Sequence, residues 1–401
     1  MKKENFIFLI IIIFFLLLLL IVGKRSRISE WTRNNSLKKS NAINIEVKGD
    51  PAQLISSINN SLKYFSKLPK ERTFLFGNDI YSKSQMEESL LDFKENLLKY
   101  GFSQEFFRYV KNNFDFYESA TEKVLFTGYY EATLEGSYER TEIFKYPLYK
   151  KPDDLVSIKL WNFPSLKKFK DFHKTLHGKL NKDNTISPYY SRSEIDTYNA
   201  LSGRDIELVW VNDPIDLFFL HIQGSGIIKL TDGKSIRVNY AGTNGHPYKA
   251  VGKYLVEKGV CTYKDLSMRY IKNYIKKNPN EAENIFNYNP SYIFFRKVEE
   301  GPVGSLGVPV TPYHSIATDK YIFPKGAICY IETKLPEFDD NDLFSGKKYF
   351  NGFVLNQDTG GAIRSPARAD LFTGNGGKNE LTAGYLKEEG KLYFLIKKRE
   401  A

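Results

Sequence analysis

Asp358-Thr-Gly-Gly-Ala-Ile363, then Arg368-Ala-Asp370-Leu-Phe and Gly374-Asn-Gly-Gly377, follow one another near the end of the chain. Short apolar runs alternate here with Gly, Asp and Arg, the pattern of strands joined by tight turns. Just upstream lie Gly304-Ser-Leu-Gly-Val-Pro309, Thr311-Pro312 and Ala317-Thr-Asp319. Three aspartates, Asp319, Asp358 and Asp370, therefore fall in one β-type stretch, each beside turn residues. An aspartic acid can give or take a proton at a glycosidic oxygen when burial raises its pKa. An Asp before Gly-Gly is equally an ordinary turn, and for Asp358 alone the turn is the simpler reading. From Ser291 onward the sequence reads almost entirely as strand and turn.

Two other motifs in this stretch fail on inspection. Asp358-Thr-Gly matches the triplet of aspartic proteases, which need two aspartates sharing a proton. The chain holds no second Asp-Thr-Gly or Asp-Ser-Gly. Gly377-Lys378 is followed by Asn379 and lacks the upstream Gly of a phosphate loop.

Working toward the N-terminus, His221-Ile-Gln-Gly-Ser-Gly226 follows an apolar run, Leu217 to Ile222, that reads as a strand. Gly224 and Gly226 allow close approach of a ligand to the backbone, and Gln223 and Ser225 offer side-chain hydrogen bonds. Strands are also predicted at Leu208 to Val211, Ile227 to Leu230 and Ile236 to Tyr240, with Asp232-Gly233 as a hairpin turn. Asn239 to Pro247 reads either as a ligand loop or as a loop opening the next helix. Ser191 to Leu201 reads as a short helix closed by Gly203, and helices return at about Lys249 to Lys258 and Lys264 to Lys276. Phe126-Thr-Gly-Tyr-Tyr-Glu131 combines a hydroxyl, two phenols and a carboxylate beside a Gly, which suits sugar binding but equally a strand entering a turn. Before about Lys123 the periodicity is helical: Leu54, Ile55, Ile58, Leu62 and Phe65 recur at spacings of three and four. A second helix is expected from about Ser84, as N-cap, to Tyr100, and a third near Ser103 to Phe114.

The chain has 401 residues, 42% hydrophobic and 15% aromatic, enough for one large or two medium domains. The aromatics fit a sugar-binding groove or a β-rich core. Phe6 to Val22 is an unbroken apolar run behind Lys2 and Lys3; as a helix it would span roughly 25 Å, the lower end of a membrane crossing. No Ala-x-Ala site and no Cys follows it, so an uncleaved signal-anchor (residues 1–23) is expected, with a cleaved signal peptide as the alternative. Residues 24–48 read as a polar linker. Cys261 and Cys329 are expected buried and unpaired. The five histidines show no metal-ligand spacing, and neither metal nor cofactor is implied. The net charge of +11 suits an anionic polymer or membrane surface better than nucleic acid in an exported protein.

Taken in order, several stretches resemble the membrane-bound lytic murein transglycosylase A family. They are Thr127-Gly-Tyr-Tyr-Glu131, Tyr146-Pro-Leu-Tyr149 with Pro152-Asp-Asp-Leu155, Tyr190-Ser-Arg-Ser-Glu-Ile195, Val209-Trp-Val211 and His221 to Gly226. Tyr240-Ala-Gly-Thr-Asn244, Asn289-Pro-Ser-Tyr-Ile-Phe-Phe295, Leu306-Gly-Val-Pro-Val-Thr-Pro312 and Asp358 to Gly374 complete the series. The resemblance implies a mainly β, α+β fold. A double-psi β-barrel domain would form from residues 49–137 and 296–401, with the N-terminal helices. A smaller β domain, residues 138–295, would be inserted and form a groove with the barrel. The same resemblance implies Asp370 as the catalytic residue, with Asp319 and Asp358 supporting it. Sugar contacts would come from Thr127, Tyr129, Tyr130, Glu131, Gln223, Ser225 and Asn244. It further implies peptidoglycan glycan strands as substrate, a membrane-anchored, periplasm-facing location and a monomer. Relatives that are lipoproteins carry a Cys that this chain lacks, and the helical region before Lys123 carries no family motif.

In that family one carboxyl suffices. Protonated Asp370 would give its proton to the oxygen between N-acetylmuramic acid and N-acetylglucosamine, then as carboxylate take one from the muramoyl 6-hydroxyl. A 1,6-anhydromuramoyl end results and no water is consumed. A hydrolytic glycosidase using Glu131 or Asp358 as second carboxylate, and a binding protein without catalysis, are the alternatives.

Overall fold

The computed structural model describes residues 35–399 except 42, 167–174, 264 and 362. The apolar run at Phe6 to Val22 lies outside the described residues. Among those described, no helix is long and apolar enough to cross a membrane.

The strands are β1 (Leu37–Ser40), β2 (Thr73–Phe76), β3 (Asp79–Ser82), β4 (Phe114–Ser119), β5 (Val124–Ser137), β6 (Tyr146–Tyr149), β7 (Leu155–Lys159), β8 (Thr175–Leu180) and β9 (Ile186–Ser187). There follow β10 (Glu207–Val211), β11 (Ser225–Leu230), β12 (Ser235–Thr243), β13 (Ile293–Val298), β14 (Ser315–Ala317), β15 (Ile328–Phe338), β16 (Phe344–Asp358), β17 (Arg368–Asn375) and β18 (Lys387–Lys397). The helices are α1 (Ala52–Phe65), α2 (Lys83–Tyr100), α3 (Gln104–Asn113), α4 (Arg192–Asp196), α5 (Pro214–Gln223), α6 (Val251–Glu257), α7 (Met268–Lys277), α8 (Ala282–Tyr288) and α9 (Gly377–Tyr385). The fold is mixed and mostly β, as expected.

Six strands close on themselves. β18 pairs with β15, β15 with β16, β16 with β14 in parallel, β14 with β17, and β17 with β5 in parallel. An antiparallel ladder between β5 and β18 shuts the ring, so the barrel leaves no free edge among these six. Its interior merges with the helices into one core that includes Phe93, Phe106, Phe114, Phe126, Tyr330, Phe353 and Phe394. Many of the rings seen in the sequence serve this core. Helix α1 turns Leu54, Ile58 and Phe65 into it, spaced as one helical face. Helix α2 starts two residues earlier than expected, because Ser82 rather than Ser84 caps it in a reciprocal box with Gln85.

The second half of β5 leaves the barrel and becomes the spine of the inserted part. There it pairs in parallel with β11 and antiparallel with β10, and β12 and β13 extend the sheet. Separate apolar clusters fill this part, one around Tyr130, Leu148, Val209 and Leu220, another around Phe218, Leu255 and Ile275.

Four expectations need correction. The run at Leu217 to Ile222 is helical, within α5, not a strand. Asp213 caps it through Ile215 N, Pro214 opens it and Gly224 ends it in the left-handed region at φ 81°. Its residues Leu217 to His221 are all buried, which erases the helical periodicity that would have identified it. The 377–385 segment is a helix, α9, within a stretch read as strand and turn. Part of the 24–48 linker is not a tether: Leu37–Ser40 forms β1, the edge strand paired with β4, and Ile45 and Val47 are buried. Cys329 is buried, whereas Cys261 is half-exposed; both are free.

Candidate active site

The barrel register sets the site. Asp358, at the end of β16, faces Ala317 of β14; Ala317 faces Asp370 of β17; Asp370 faces Thr127 of β5. One row across three ladders thus carries two aspartates, two strands apart, or roughly 10 Å between main chains. The β14–β16 ladder slips by one residue at Ile316/Ala317, a bulge that brings Asp358 into this row.

Alternation along a strand puts Arg368 and Asp370 on one face of β17. Arg368 Nε lies 3.0 Å from Asp370 Oδ1 and its Nη2 3.2 Å from Oδ2, a two-pronged grip on the carboxylate. Thr127 Oγ1 donates to Asp370 Oδ1 at 2.6 Å and accepts from Arg368 Nη2 at 3.2 Å. The Asp370 side chain is only 15% exposed, so these bonds carry more weight than they would in water.

Asp358 is held differently. Its Oδ1 accepts from the main-chain N–H of Ser305 and of Thr359, both at 2.8 Å. Burial pushes its carboxyl up from the ordinary range, and those two N–H donors and the Lys325 charge oppose the shift. Asp319 is buried, and its Oδ1 accepts from Tyr321 N at 3.0 Å, so it builds the turn after β14. Tyr129, two residues beyond Thr127, packs its ring against Phe372, tilted at 45° with centroids 5.1 Å apart. Its hydroxyl is buried with no hydrogen-bond partner in reach of good geometry. Burial raises this phenol well above its usual value, and the charges of Asp358 and Asp370 add to the effect. Of the two carboxylates, Asp358 acts on this phenol more strongly than Asp370.

Structure also recruits residues that the sequence reading passed over. Arg368 lay inside a quoted motif without a role, although its spacing of two from Asp370 places them on the same strand face. Tyr248, on the loop after β12, lies close enough to the Arg368 and Asp370 charges to feel both, its phenol raised mainly by burial. Tyr248 also approaches the Asp358 loop, its Cβ within 3.9 Å of where a side chain on Gly361 would begin. It marks the face that the inserted part turns toward the barrel site. Lys325 reaches back from the turn before β15. Its Nζ donates to Thr318 O at 3.3 Å, Thr318 Oγ1 at 3.2 Å, Asn356 Oδ1 at 3.3 Å and the Asp358 carbonyl. Nothing in a lone Lys between Pro and Gly signals that role.

Several expected sugar contacts are spent on architecture. Glu131 is 2% exposed, its Oε1 2.7 Å from Arg237 Nε, an ion pair that ties β5 to β12. Burial raises its carboxyl, and Arg237 opposes that. Tyr130 turns the other way from Tyr129, into the inserted core, and donates to Glu380 at 2.9 Å. Asn244 is 1% exposed and donates to Tyr190 O and Pro290 O, both at 2.9 Å, while accepting from Tyr292 N at 2.9 Å. Gln223 ends α5 and accepts from Tyr130 N at 3.1 Å, bracing β5 from behind. Ser225 is buried at the start of β11. Of the expected residues, Thr127, Tyr129, Asp358 and Asp370 converge, and Asp319 lies buried near Lys325, which also feels the Asp358 charge. Two hollows elsewhere on the surface, one of about 370 Å³ between α7 and α9, contain none of them.

Residues 125–296 match the MltA specific insert domain, and residues 314–396 match the 3D domain. Over 275 residues, 68% of its length, the chain is 30% identical to the membrane-bound lytic murein transglycosylases A of Vibrio cholerae and Escherichia coli. The match spans 65% of each of those relatives. Two crystal structures share the fold. That of a membrane-bound lytic murein transglycosylase from Agrobacterium tumefaciens is 28% identical, with a TM-score of 0.76 over 90% of this chain and 98% of that one. That of MltA from Neisseria gonorrhoeae is 26% identical, with a TM-score of 0.67 over 91% and 93%. With both domain types in order, and barrel and insert laid out as in these relatives, the chain belongs to the membrane-bound lytic murein transglycosylase A family.

Proposed function

We propose that this protein cleaves the β-1,4 bond between N-acetylmuramic acid and N-acetylglucosamine in peptidoglycan by lytic transglycosylation, with Asp370 as acid and then base. The observation that carries the reading is the row Asp358–Ala317–Asp370–Thr127, which sets one carboxyl in a grip of Arg368 and Thr127 beside a shielded second one. Asp370 leaves the Arg368 fork, protonated, and gives its proton to the glycosidic oxygen as the C1–O bond breaks. Positive charge at C1 is met by the 6-hydroxyl of the same muramoyl ring, and Asp370 takes the proton that this hydroxyl loses. The proton balance closes without water. Tethering the nucleophile in the sugar supplies on the order of 7–11 kcal/mol of what an external nucleophile would cost. Arg368 and Thr127 hold the carboxylate between the two transfers, and Asp358 supplies negative charge near the developing cation.

A hydrolase would need a free second carboxylate. Glu131 is closed in its pair with Arg237, and one oxygen of Asp358 is occupied by two main-chain donors, which favours the single-carboxyl scheme. In this reading residues 49–137 and 296–401 supply catalysis, 138–295 line the other side of the groove, and the monomer faces the periplasm from an N-terminal anchor.

Mass spectrometry of muropeptides released from purified sacculi tests the proposal. Products one water lighter than hydrolytic ones are expected, and Asp370→Asn should lower release at least a hundredfold with unchanged circular dichroism. Hydrated ends, or substantial release by Asp370→Asn, would refute it.

A further inference from the structure

Lys325 sits where the end of β14, which runs on into Asp319, meets the end of β16, which carries Asp358. Its ammonium reaches main-chain and side-chain oxygens of Thr318, just after β14, and of Asn356 and Asp358, at the end of β16. Thr318 N also donates to the Asp358 carbonyl, at 3.2 Å. The same three acceptor residues thus fix where Asp319 and Asp358 emerge, and β14 in turn carries the register of Asp370. Asp358 and Asp319 are the carboxylates that face the cation; Lys320 and the thiol of Cys329 are its other charged or titratable neighbours.

We infer that Lys325 is a positioning residue, the enclosed cation that keeps Asp358 an anion beside Asp370 and clamps together the ends of β16, which carries Asp358, and β14, which sets the register of Asp370. This rests on the transglycosylase reading but can be tested apart from it. Burial pushes Lys325 down to about 8, against the pull of Asp358 and Asp319. An ordinary lysine holds its proton to about 10.4, so this one loses its charge within a pH range where the enzyme can be assayed. Neutral Lys325 keeps lone-pair and N–H geometry for fewer of its four acceptors, and it no longer offsets the Asp358 charge.

The first readout is the 13Cε resonance of Lys325 in the wild-type soluble protein, assigned by its loss in Lys325→Arg. A midpoint near pH 8 is expected; a midpoint near 10.4 overturns the inference whatever the enzyme cuts. The second is the pH profile of anhydro-product release. Wild type should lose activity above pH 8 with the same midpoint. Lys325→Arg, which cannot shed its charge in this range, should move that alkaline limb up by at least one pH unit. Lys325→Met should lower kcat at least tenfold while sacculus binding stays within twofold. An alkaline limb unchanged in Lys325→Arg, or a full kcat in Lys325→Met, overturns the assignment even if wild type forms anhydro ends. Hydrated or absent products from wild type would instead defeat the transglycosylase reading and leave the resonance to decide the Lys325 charge.

Discussion

Asp370 and Glu131 are both acidic residues in Gly-bearing β segments, yet their neighbours give them opposite uses. Asp370 is gripped at a partly open face by Arg368 and Thr127, whereas Glu131 is sealed against Arg237. Removing the Thr127 hydroxyl deletes one charge-assisted bond of roughly 1.5–3 kcal/mol. Thr127→Val should therefore cut kcat about ten- to a hundredfold in the muropeptide assay with little change in melting temperature. Glu131→Ala leaves Arg237 unpaired, and a broken buried pair costs about 3–5 kcal/mol. Because Arg237 retains 29% exposure, the loss should fall near the low end, seen as a lower urea midpoint. The sequence alone could suggest Asp370 and Thr127, since motif order singles out both. It could not separate them from Glu131, Tyr130 and Asn244, whose partners Arg237, Glu380 and Pro290 come from distant segments.

Among the elements, α5 and β5 show what period and punctuation can convey. A helix buried all round loses its stripe, and α5 was legible only from Asp213-Pro214 and Gly224 at its ends. Asp213→Ala should cost about 1 kcal/mol of stability through the lost cap, measurable by thermal melting. Strand β5 places Gly128 under α9, where a Cβ would lie 2.4 Å from the Ala383 Cα. Main chain cannot yield as a flexible side chain does. Gly128→Ala should force α9 outward, at roughly 1–3 kcal/mol, and disturb Thr127 next to it. A crystal structure of that variant with α9 in place would contradict the expectation.

Over the whole molecule, the class of fold could be read from the succession of helical and strand patterns, but the ring closure could not. It depends on β18 pairing with β5 across most of the chain, a contact no local signal encodes. The inserted part hides a similar long-range dependence. Arg192, 2% exposed, donates to the carbonyls of Asn289 and Ser291 and lies 3.1 Å from His221 Nδ1. Burial and that guanidinium push the imidazole well below its usual value. Its folded value is depressed, so its contribution is full above the unfolded value near 6.5 and is lost as pH falls from there toward the folded value. His221→Gln keeps an acceptor for Arg192 but cannot titrate. Between pH 7 and 5 its melting temperature should fall less than that of wild type; equal falls would show that His221 does not govern the acid response. Finally, β5 is laddered to the barrel through Glu131 and to the insert from Ala132 onward. A gap framed by this continuous strand, and braced where Lys272 of α7 pairs with Glu380 of α9, would work as a calliper set to one width. Changing that width means unzipping a strand bonded on both flanks, so a polymer would be admitted by its girth and fed lengthwise rather than seized by closing jaws.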